Sequence, residues 1–474
     1  MATRPKLNTD TLQDKIKGTI ILPDHSAYDD ARRIWNTMID RRPAVIVRCG
    51  EATDVAAAVG FAREHNLEIS IRGGGHHIGG HSVCDDGLVI DFSGMKNVRV
   101  DPGTRRAYVQ PGATLRDFDQ AVQLHGLATP VGINSTTGIS GLTLGGGFGW
   151  LTREYGMTID NLVAADVVTA DGKMLHASAN ENVDLFWAIR GGGGNFGVVT
   201  QFELKLHPVG PNVFAGLIVF PFQQAKQVLT RYREFVESAP EQLNVWAVLR
   251  QAPPLPFLSA DVHGKEVVIL AVFFAGNPSS GEKILQPLRG FGNALGEHVG
   301  SMPYTQWQQA FDPLLTPGAR NYWKSHNFTE INDNVLGTII EYASKLPSSE
   351  CELFLGLLAG AANKIPTGAT AYSARDAKFV VNVHGRWQST RQDDECIGWS
   401  RAFFIAAAPY ASSGAYTNFM TADEGERVAA AYGANYSRLL EIKQRYDPQN
   451  IFHLNQNIRT SDPIRGDIAQ RRSA

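Results

Sequence analysis

Apolar and polar positions over the first 200 residues alternate between short apolar runs and amphipathic windows, separated by runs of glycine. Apolar spacing of three and four residues predicts helices over residues 53–64 and 114–124. Short apolar or alternating runs predict strands at residues 45–48, 67–72, 88–92, 107–110 and 198–206. The chain therefore begins with a β-α-β unit that ends in a glycine turn.

The pattern changes beyond Pro208, where the glycine runs stop and longer helical windows appear, at residues 223–237 and 281–289. The proline-rich segment 251–257 has the composition of a connection. A final helix is predicted over residues 423–446. We predict an organisation in four parts: a lead-in (1–39), a first domain (40–208), a second domain (209–422) and a C-terminal segment (423–474).

Composition excludes several classes of protein. The 474 residues are 43% hydrophobic and 19% charged, which is typical of a chain with a large core and not of a disordered one. The net charge is -3 and there is no basic block, so we expect no nucleic-acid partner. No apolar stretch reaches the roughly 20 residues of a membrane helix, and no signal peptide is visible at the N-terminus. The four scattered cysteines predict neither a zinc module nor a disulfide framework, and we expect a cytoplasmic protein.

Glycine accounts for 47 residues and is concentrated in three runs, at residues 72–82, 132–150 and 190–200. Glycine permits positive φ and lets backbone N–H groups line up around an anion. A strand followed by RGGGHH, with the arginine at Arg72, is suited to a pyrophosphate. A tight turn is an equal alternative for any single run, but three long runs favour a bulky ligand.

The third run contains a GxGxxG pattern at Gly192, Gly194 and Gly197. A dinucleotide fingerprint requires a helix after the glycines, whereas a strand is predicted here, so the Rossmann interpretation is rejected. The chain also lacks a P-loop pattern.

Three histidines, His76, His77 and His81, lie in the first run. They could cluster around a metal, although no set of carboxylate or cysteine ligands accompanies them. They could also be structural loop residues. A third interpretation is a histidine beside a cofactor, because imidazole is a nucleophile that can attack the 8α-methyl group of a flavin.

Five motifs together resemble one family: RGGGHHIGGHS, GLVIDFSGMKNVRVDP, GLTLGGGFGWLTREYGMTIDN, LFWAIRGGGGNFGVVT and the tail NYSRLLEIKQRYDPQNIFHLNQNI. They resemble the FAD-linked oxidases of the vanillyl-alcohol-oxidase superfamily, in the bacterial type of its berberine-bridge-enzyme-like branch. The resemblance is close over residues 40–210 and good over 410–458. It implies an α+β fold, with a PCMH-type FAD-binding domain of two α+β subdomains at 40–208. It also implies a substrate-binding domain at 209–422, an antiparallel sheet backed by helices, and a C-terminal segment that returns to the FAD domain.

The resemblance assigns His76, rather than His77, to a covalent 8α-histidyl bond with FAD. Members with a second, cysteinyl bond carry cysteine where this chain has Asn134, which implies a single bond here. Ile139 is expected to line the space over the flavin, where it admits or blocks O2. The other residues expected to bind FAD are Arg72, Gly73, Gly74, Gly75, His77, Gly79, Gly80, Gly132, Thr136, Gly138, Gly141, Gly145, Gly149, Trp150, Gly197, Val199, Asn455 and Asn457.

Oxidation of an alcohol or amine carbon by a flavin needs a base for the heteroatom proton. The resemblance places Tyr416, on a strand, as that base, with Asn418 as its orienting partner; a buried structural tyrosine is the alternative. In VNVHGRW, His384 and Arg386 share one face of a strand, and a solvated sheet face is favoured over a substrate anchor. Trp187 is expected to pack in the core.

We therefore expect an FAD-dependent oxidoreductase that takes a hydride from an alcohol, sugar, amine or activated C–H carbon of a small organic substrate and passes the electrons to O2. One alternative is a dehydrogenase with another electron acceptor. The others are a flavin-binding protein without turnover and a histidine-metal enzyme. No membrane partner is expected.

Overall fold

Two sheets form within the first 205 residues of the computed structural model, which describes residues 7–412 and 414–459. The first has three parallel strands and one antiparallel edge strand, in the spatial order Thr19–Ile21, Val45–Arg48, Leu88–Asp91 and Ile69–Arg72. The second is antiparallel, in the order Val98–Asp101, Arg106–Val109, Val198–Lys205, Leu162–Val168 and Met174–Ser178. A short pair, Leu127–Ala128 with His207–Pro208, lies beside them.

A seven-stranded antiparallel sheet follows. Its strands, in spatial order, are Gly296–Pro303, Asn212–Pro221, Glu266–Phe274, Leu243–Gln251, Glu352–Leu357, Phe379–Trp387 and Arg320–Phe328. Four long helices pack against it: Ala225–Ser238, Pro278–Arg289, Asp333–Ala343 and Asp393–Ala407. On the strand Arg320–Phe328, His326 bonds to the backbone of Phe404 in the last of these helices.

The other helices belong mostly to the N-terminal half. The helix Leu115–Gln123 begins at a capping box, in which the Thr114 hydroxyl accepts from the Asp117 N–H and the Asp117 carboxylate accepts from the Thr114 N–H. The remaining ones are Asp10–Gln13, Tyr28–Arg32, Ala52–Glu64, Ile139–Leu144, Thr152–Tyr155, Val183–Ile189, Tyr304–Trp307, Ala361–Lys364, Val428–Tyr432 and Tyr436–Tyr446.

Two predictions about the C-terminal part are wrong. The helix predicted over 423–446 is broken into a 3-10 segment Ala422–Arg427 and the helices Val428–Tyr432 and Tyr436–Tyr446. The second break lies at Gly433, which has a φ of 53° and a ψ of -128°, a conformation that an L side chain disfavours. Asn418 lies in a 3-10 turn, Thr417–Phe419, which Tyr416 directly precedes, and neither residue lies on a strand.

The C-terminal segment returns to the N-terminal half through a buried ion pair. Lys443 Nζ lies 2.6 Å from Asp447 Oδ2 and also donates to the carbonyls of Asn195 and Phe452. Both charged side chains are fully buried. Asp447 in turn accepts the backbone N–H groups of Ile451 and Phe452. This network fixes the path of residues 447–458, which begins at a helix end and runs along the glycine-rich part of the chain.

None of the helices within the described ranges has the length and apolarity needed to cross a membrane. The four cysteines, all within those ranges, are buried free thiols.

We predict that Lys443→Met lowers the free energy of unfolding by about 3–5 kcal/mol, because Asp447 would then be a buried charge without a counter-ion. Thermal and urea unfolding measure the change. Lys345→Met is the matched control, because its pair with Glu341 is exposed and contributes about 0–1 kcal/mol. Equal effects of the two substitutions would contradict the assignment of Lys443 as the anchor.

Candidate functional site

A cavity of about 460 Å³ lies between the glycine runs and the inner face of the seven-stranded sheet. Its volume is in the range of small-molecule sites. Most of the residues predicted for the site line it: Gly73, Gly74, Gly75, His76, His77, Gly132, Gly138, Gly141, Gly145, Trp150, Gly197, Val199, Tyr416, Asn418 and Asn455. Six predicted residues are not part of its lining: Arg72, Gly79, Gly80, Thr136, Gly149 and Asn457.

The first and second glycine runs touch through their backbones. A Cβ atom on Gly74 would overlap the backbone nitrogen of Gly138, and one on Gly138 would overlap that of Gly74. A Cβ atom on Gly73 would overlap the Ser140 hydroxyl. These glycines are therefore required for the contact between the two runs, in addition to any contact with a ligand.

Other glycines leave space for a ligand. Gly141 and Gly194 line the cavity, and a Cβ atom on either would meet no protein atom within 4 Å. A side chain at these positions would occupy the cavity. The backbone thus forms an open cradle at the second and third runs.

Arg72 has a different role from the predicted one. Its guanidinium pairs with Asp91 at 2.8 Å and donates to the carbonyls of Ala31 and Arg33, and the side chain is buried. It ties the first sheet to the preceding segment and is not available to a pyrophosphate.

Close packing likewise explains Gly79, Gly80 and Gly149. A Cβ atom on Gly79 would lie 2.9 Å from the backbone of Ala422, and one on Gly80 would lie 2.8 Å from the Ile39 side chain. A Cβ atom on Gly149 would overlap the Val131 carbonyl.

His76 is held at the edge of the cavity by two residues, Trp35 and Thr136. Its ring stacks on Trp35 at 5.2 Å between centroids, and its Nε2 lies 3.0 Å from Thr136 Oγ1. Thr136 Oγ1 also lies 2.7 Å from Asn134 Oδ1, while the Asn134 amide nitrogen donates to the carbonyl of Leu315. Because Asn134 Oδ1 only accepts, the threonine proton points to it, and Oγ1 accepts from His76 Nε2–H. This leaves the lone pair on Nδ1 of His76.

The environment keeps His76 neutral. Burial lowers the pKa of its imidazole to about 4, against smaller opposing effects of the backbone of Thr136 and of the charge of Asp312. A neutral imidazole with a free Nδ1 lone pair is a nucleophile at physiological pH.

His77 and His81 pack edge to face against each other, with ring centroids 4.4 Å apart. His77 Nδ1 accepts from the N–H of Gly79, and burial lowers the pKa of both imidazoles. Within the part of the chain that the structure describes, no group of three or more histidine, cysteine, aspartate or glutamate side chains is arranged to hold a metal ion.

Tyr416 lies in the cavity wall with its oxygen accepting two hydrogen bonds, from the N–H of Gly147 at 3.1 Å and from Asn418 Nδ2 at 3.0 Å. Asn418 is the orienting partner in geometry, and Gly145 makes room for its carboxamide, since a Cβ atom there would overlap Asn418 Oδ1. Burial nevertheless raises the pKa of Tyr416 to about 12. The phenol is therefore a neutral hydrogen-bond donor in this environment.

The interpretation of His384 and Arg386 as a solvated sheet face is also wrong, because both side chains are buried. Arg386 pairs with Glu350 at 2.9 Å and donates to the Thr316 carbonyl. His384 lines the cavity and lies 3.1 Å from Glu352. The alternation of this strand is visible in the sequence, but no local pattern points to the partner Glu352, which lies 32 residues away.

The remaining predicted residues divide between cavity and core. Asn455 lines the cavity, and its Oδ1 is buried without a hydrogen-bond partner, as is that of Asn457. Ile139 is fully buried in the core and does not line the cavity, so the gating position expected for it is not supported. Trp187 packs in the same core, as predicted.

Comparison with protein-family models gives two matches. The model described as "FAD binding domain" matches residues 43–178, and the one described as "Berberine and berberine like" matches residues 415–459. An FAD-linked oxidoreductase of Dictyostelium discoideum is 30% identical over 94% of this chain and 95% of its own length. The chain belongs to the berberine-bridge-enzyme-like family of FAD-linked oxidoreductases.

Two further comparisons agree. The (R)-6-hydroxynicotine oxidase of Paenarthrobacter nicotinovorans is 30% identical over 94% of this chain and 97% of its own length. The crystal structure of 6-hydroxy-D-nicotine oxidase from Arthrobacter nicotinovorans superposes with a TM-score of 0.85 at 28% identity, covering 96% of this chain and 100% of the other. The predicted family, the α+β fold with a PCMH-type FAD-binding domain and an antiparallel sheet, and the prediction of an FAD-dependent oxidoreductase are confirmed.

The residues present fit FAD. Gly141 and Gly194 form a cradle that any side chain would fill, and Asn455 offers a buried acceptor without a protein partner. An unpaired buried acceptor is costly in an otherwise apolar cavity, and the N–H groups of a bound flavin would satisfy it.

We predict that Gly141→Leu and Gly74→Ala separate ligand contact from internal packing. Gly141→Leu should keep the fold, since it places its side chain in the cavity and improves helix propensity, but should lose most of the bound FAD. Gly74→Ala should lose fold and FAD together. Circular dichroism and the flavin absorbance of the purified proteins measure both, and a full FAD content in Gly141→Leu would contradict the cradle.

Proposed function

We propose that this enzyme is an oxidase that holds FAD through a single covalent bond to His76 and transfers electrons from a small organic substrate to O2. The observation that carries the proposal is the position of His76 at the cavity edge, with a neutral ring and a free Nδ1 lone pair. When bound, FAD would accept a hydride from a substrate carbon, and its reoxidation would convert O2 to hydrogen peroxide.

The hydrogen bonds support Nδ1 as the atom that bonds the flavin 8α-carbon. Nε2 carries the proton that Thr136 accepts, so only Nδ1 has a lone pair to donate. Stacking on Trp35 fixes the plane of the ring. His77 is less suited, because its Nδ1 already accepts from a backbone N–H.

A single covalent bond is further supported by the cysteines. None of the four, which all lie in described segments, contributes to the cavity lining. Asn134, at the place of the cysteine in two-bond relatives, instead directs the Thr136 hydroxyl and through it the tautomer of His76.

Tyr416 would orient the reacting group of the substrate. Both acceptor positions of its oxygen are occupied by Gly147 and Asn418, so its own proton is available to a ligand. Its ring is fixed edge to face by Phe148 and Phe419, at 4.8 and 4.9 Å.

We predict that the wild-type protein is yellow and that its colour stays with the pellet on acid precipitation. His76→Ala should release its flavin to the supernatant, whereas His77→Ala, which leaves the Nδ1 of His76 in place, should keep it in the pellet. The absorbance of pellet and supernatant measures the outcome. A colourless wild-type protein that FAD cannot reconstitute would contradict the proposed function.

We predict that Tyr416→Phe reduces oxygen consumption about tenfold to a hundredfold, equivalent to the loss of one strong hydrogen bond, with the flavin spectrum unchanged. The measurement uses a substrate found by screening alcohols, amines and sugars in an oxygen electrode. Tyr372→Phe is the control, because Tyr372 is also buried but does not line the cavity. Equal rates in the wild type and Tyr416→Phe would exclude Tyr416 from the reaction.

A further inference from the structure

The inner face of the seven-stranded sheet carries a continuous polar row. Arg250 lies directly opposite Glu352, Glu352 opposite His384, and His384 opposite Trp323 on the next strand. Residues opposite each other on neighbouring strands point to the same face. All four line the cavity, so the row is part of its wall.

The hydrogen bonds of the row fix the tautomer of His384. Glu352 Oε2 accepts from Arg250 Nη1 at 2.7 Å, and Glu352 Oε1 lies 3.1 Å from His384 Nδ1. Because a carboxylate only accepts, Nδ1 of His384 carries the proton and Nε2 keeps its lone pair.

His384 Nε2 is buried and has no hydrogen-bond partner. The side chain is only 8% exposed. A buried acceptor of this kind is costly unless a ligand supplies a donor. The row therefore ends in an unpaired acceptor on a side chain that lines the cavity.

We propose that His384 Nε2 binds the hydroxyl group of an aromatic alcohol and accepts its proton during oxidation, with Glu352 as the positioning residue. This inference rests on the proposed function, because FAD accepts the hydride. The O–H bond breaks to protonate His384 Nε2, and its electron pair forms the C=O bond of the product. The carbon that carries the hydroxyl group gives up a hydride, which is two electrons and one proton, to FAD. The second proton, from the hydroxyl group, stays on the imidazole.

The aromatic part of the substrate follows from the rest of the wall. Trp323 packs edge to face on His384 at 4.1 Å, and Trp246 and Phe354 lie edge to face at 4.9 Å. All three rings line the cavity, as does Phe419. Their faces and edges offer the ring of a ligand an aromatic packing surface on this side of the cavity.

Asn382 contributes a further unpaired polar atom to this face of the sheet. Asn382 lies two residues before His384 on the same strand face, and its Nδ2 is buried without a hydrogen-bond partner. An oxygen can accept from Asn382 while a hydroxyl proton is given to His384. This pair of groups matches an oxygen substituent that both donates and accepts.

The charges around His384 support a neutral, accepting ring. Burial lowers its pKa, Glu352 opposes this, and Arg386 and Arg250 lower it further. Arg250 holds the pKa of Glu352 at about 2 against burial. His384 thus accepts at neutral pH, and it becomes a donor only when the pH falls below its own lowered pKa.

The test compares the binding of 4-chlorophenol and 4-chloroanisole to the flavin-containing enzyme by titration calorimetry. At pH 7 the wild type should bind the phenol at least about tenfold more tightly, because the ether has no proton to give. His384→Leu should abolish this preference, while Glu352 keeps Arg250 as its partner. His326→Leu, a buried histidine of the same sheet that does not line the cavity, should retain it.

Acidic pH gives a second readout. The preference for the phenol should disappear as the pH falls well below about 6.5, the usual histidine pKa, because the imidazolium Nε2–H donates. Glu352→Gln should weaken the preference at pH 7, since a carboxamide can donate to Nδ1 and reverse the tautomer. Equal binding of the two probes to the wild type, or a preference retained in His384→Leu, would overturn the proposal.

Turnover measurements distinguish a role of His384 as the catalytic base from a role as a binding group for the hydroxyl. With benzyl alcohol and its 4-substituted derivatives as substrates, His384→Gln should keep probe binding within a few-fold, because the glutamine Oε1 can accept. It should lower kcat by about 10²–10⁴-fold, since the amide cannot take the proton. An unchanged kcat and pH profile would exclude His384 as the base. This result would leave the proposed function intact. The proposed function fails instead if neither the pellet nor the supernatant of the acid precipitation contains FAD.

Discussion

The contact between the first and second glycine runs is the constraint on which the site depends. Gly74 and Gly138 meet backbone to backbone, with no room for a Cβ atom on either. This contact brings the loop after the strand Ile69–Arg72 against the start of the helix Ile139–Leu144. His76 can reach Thr136 only because the two runs are in register at this point. The position of His76 and the tautomer that Thr136 sets are therefore both consequences of this one backbone contact.

The cavity lies between two surfaces that differ in the kind of group they present to a ligand. The N-terminal half offers backbone and small residues, which suit a large cofactor of fixed shape. The seven-stranded sheet offers side chains, whose placement is set by strand register and can change without altering the glycine half. Asn455 comes from the C-terminal segment, which the buried Lys443–Asp447 pair holds against the glycine-rich half, and Tyr416 comes from the turn shortly before that segment. The pair bonds to the backbone of Phe452, which lines the cavity, so the anchor of this segment is linked directly to the wall of the site.

Local patterns in the sequence predicted the glycine-rich half well, because strand, turn and loop residues there are close in the chain. Long-range partners were not visible. Arg72 looks like a phosphate ligand until Asp91, 19 residues away, is seen to neutralise it. His384 looked solvent-facing because nothing local shows that Glu352 and Arg250 become its neighbours through strand pairing. The helix predicted over 423–446 was overestimated, since its apolar periodicity continues through Gly433 although the backbone does not.

The polar row of the sheet also explains how a base can be buried at acceptable cost. A lone glutamate in this cavity would take up a proton, whereas Arg250 keeps Glu352 ionised and the pair has no net charge. His384 then adds a neutral group that is ready to become positive beside a carboxylate. Proton transfer from a substrate hydroxyl would create the imidazolium directly beside the Glu352 carboxylate. The side chains of the wall would therefore not need to rearrange as the positive charge forms. Arg250, which need not touch the substrate, is therefore required because it keeps Glu352 ionised beside His384.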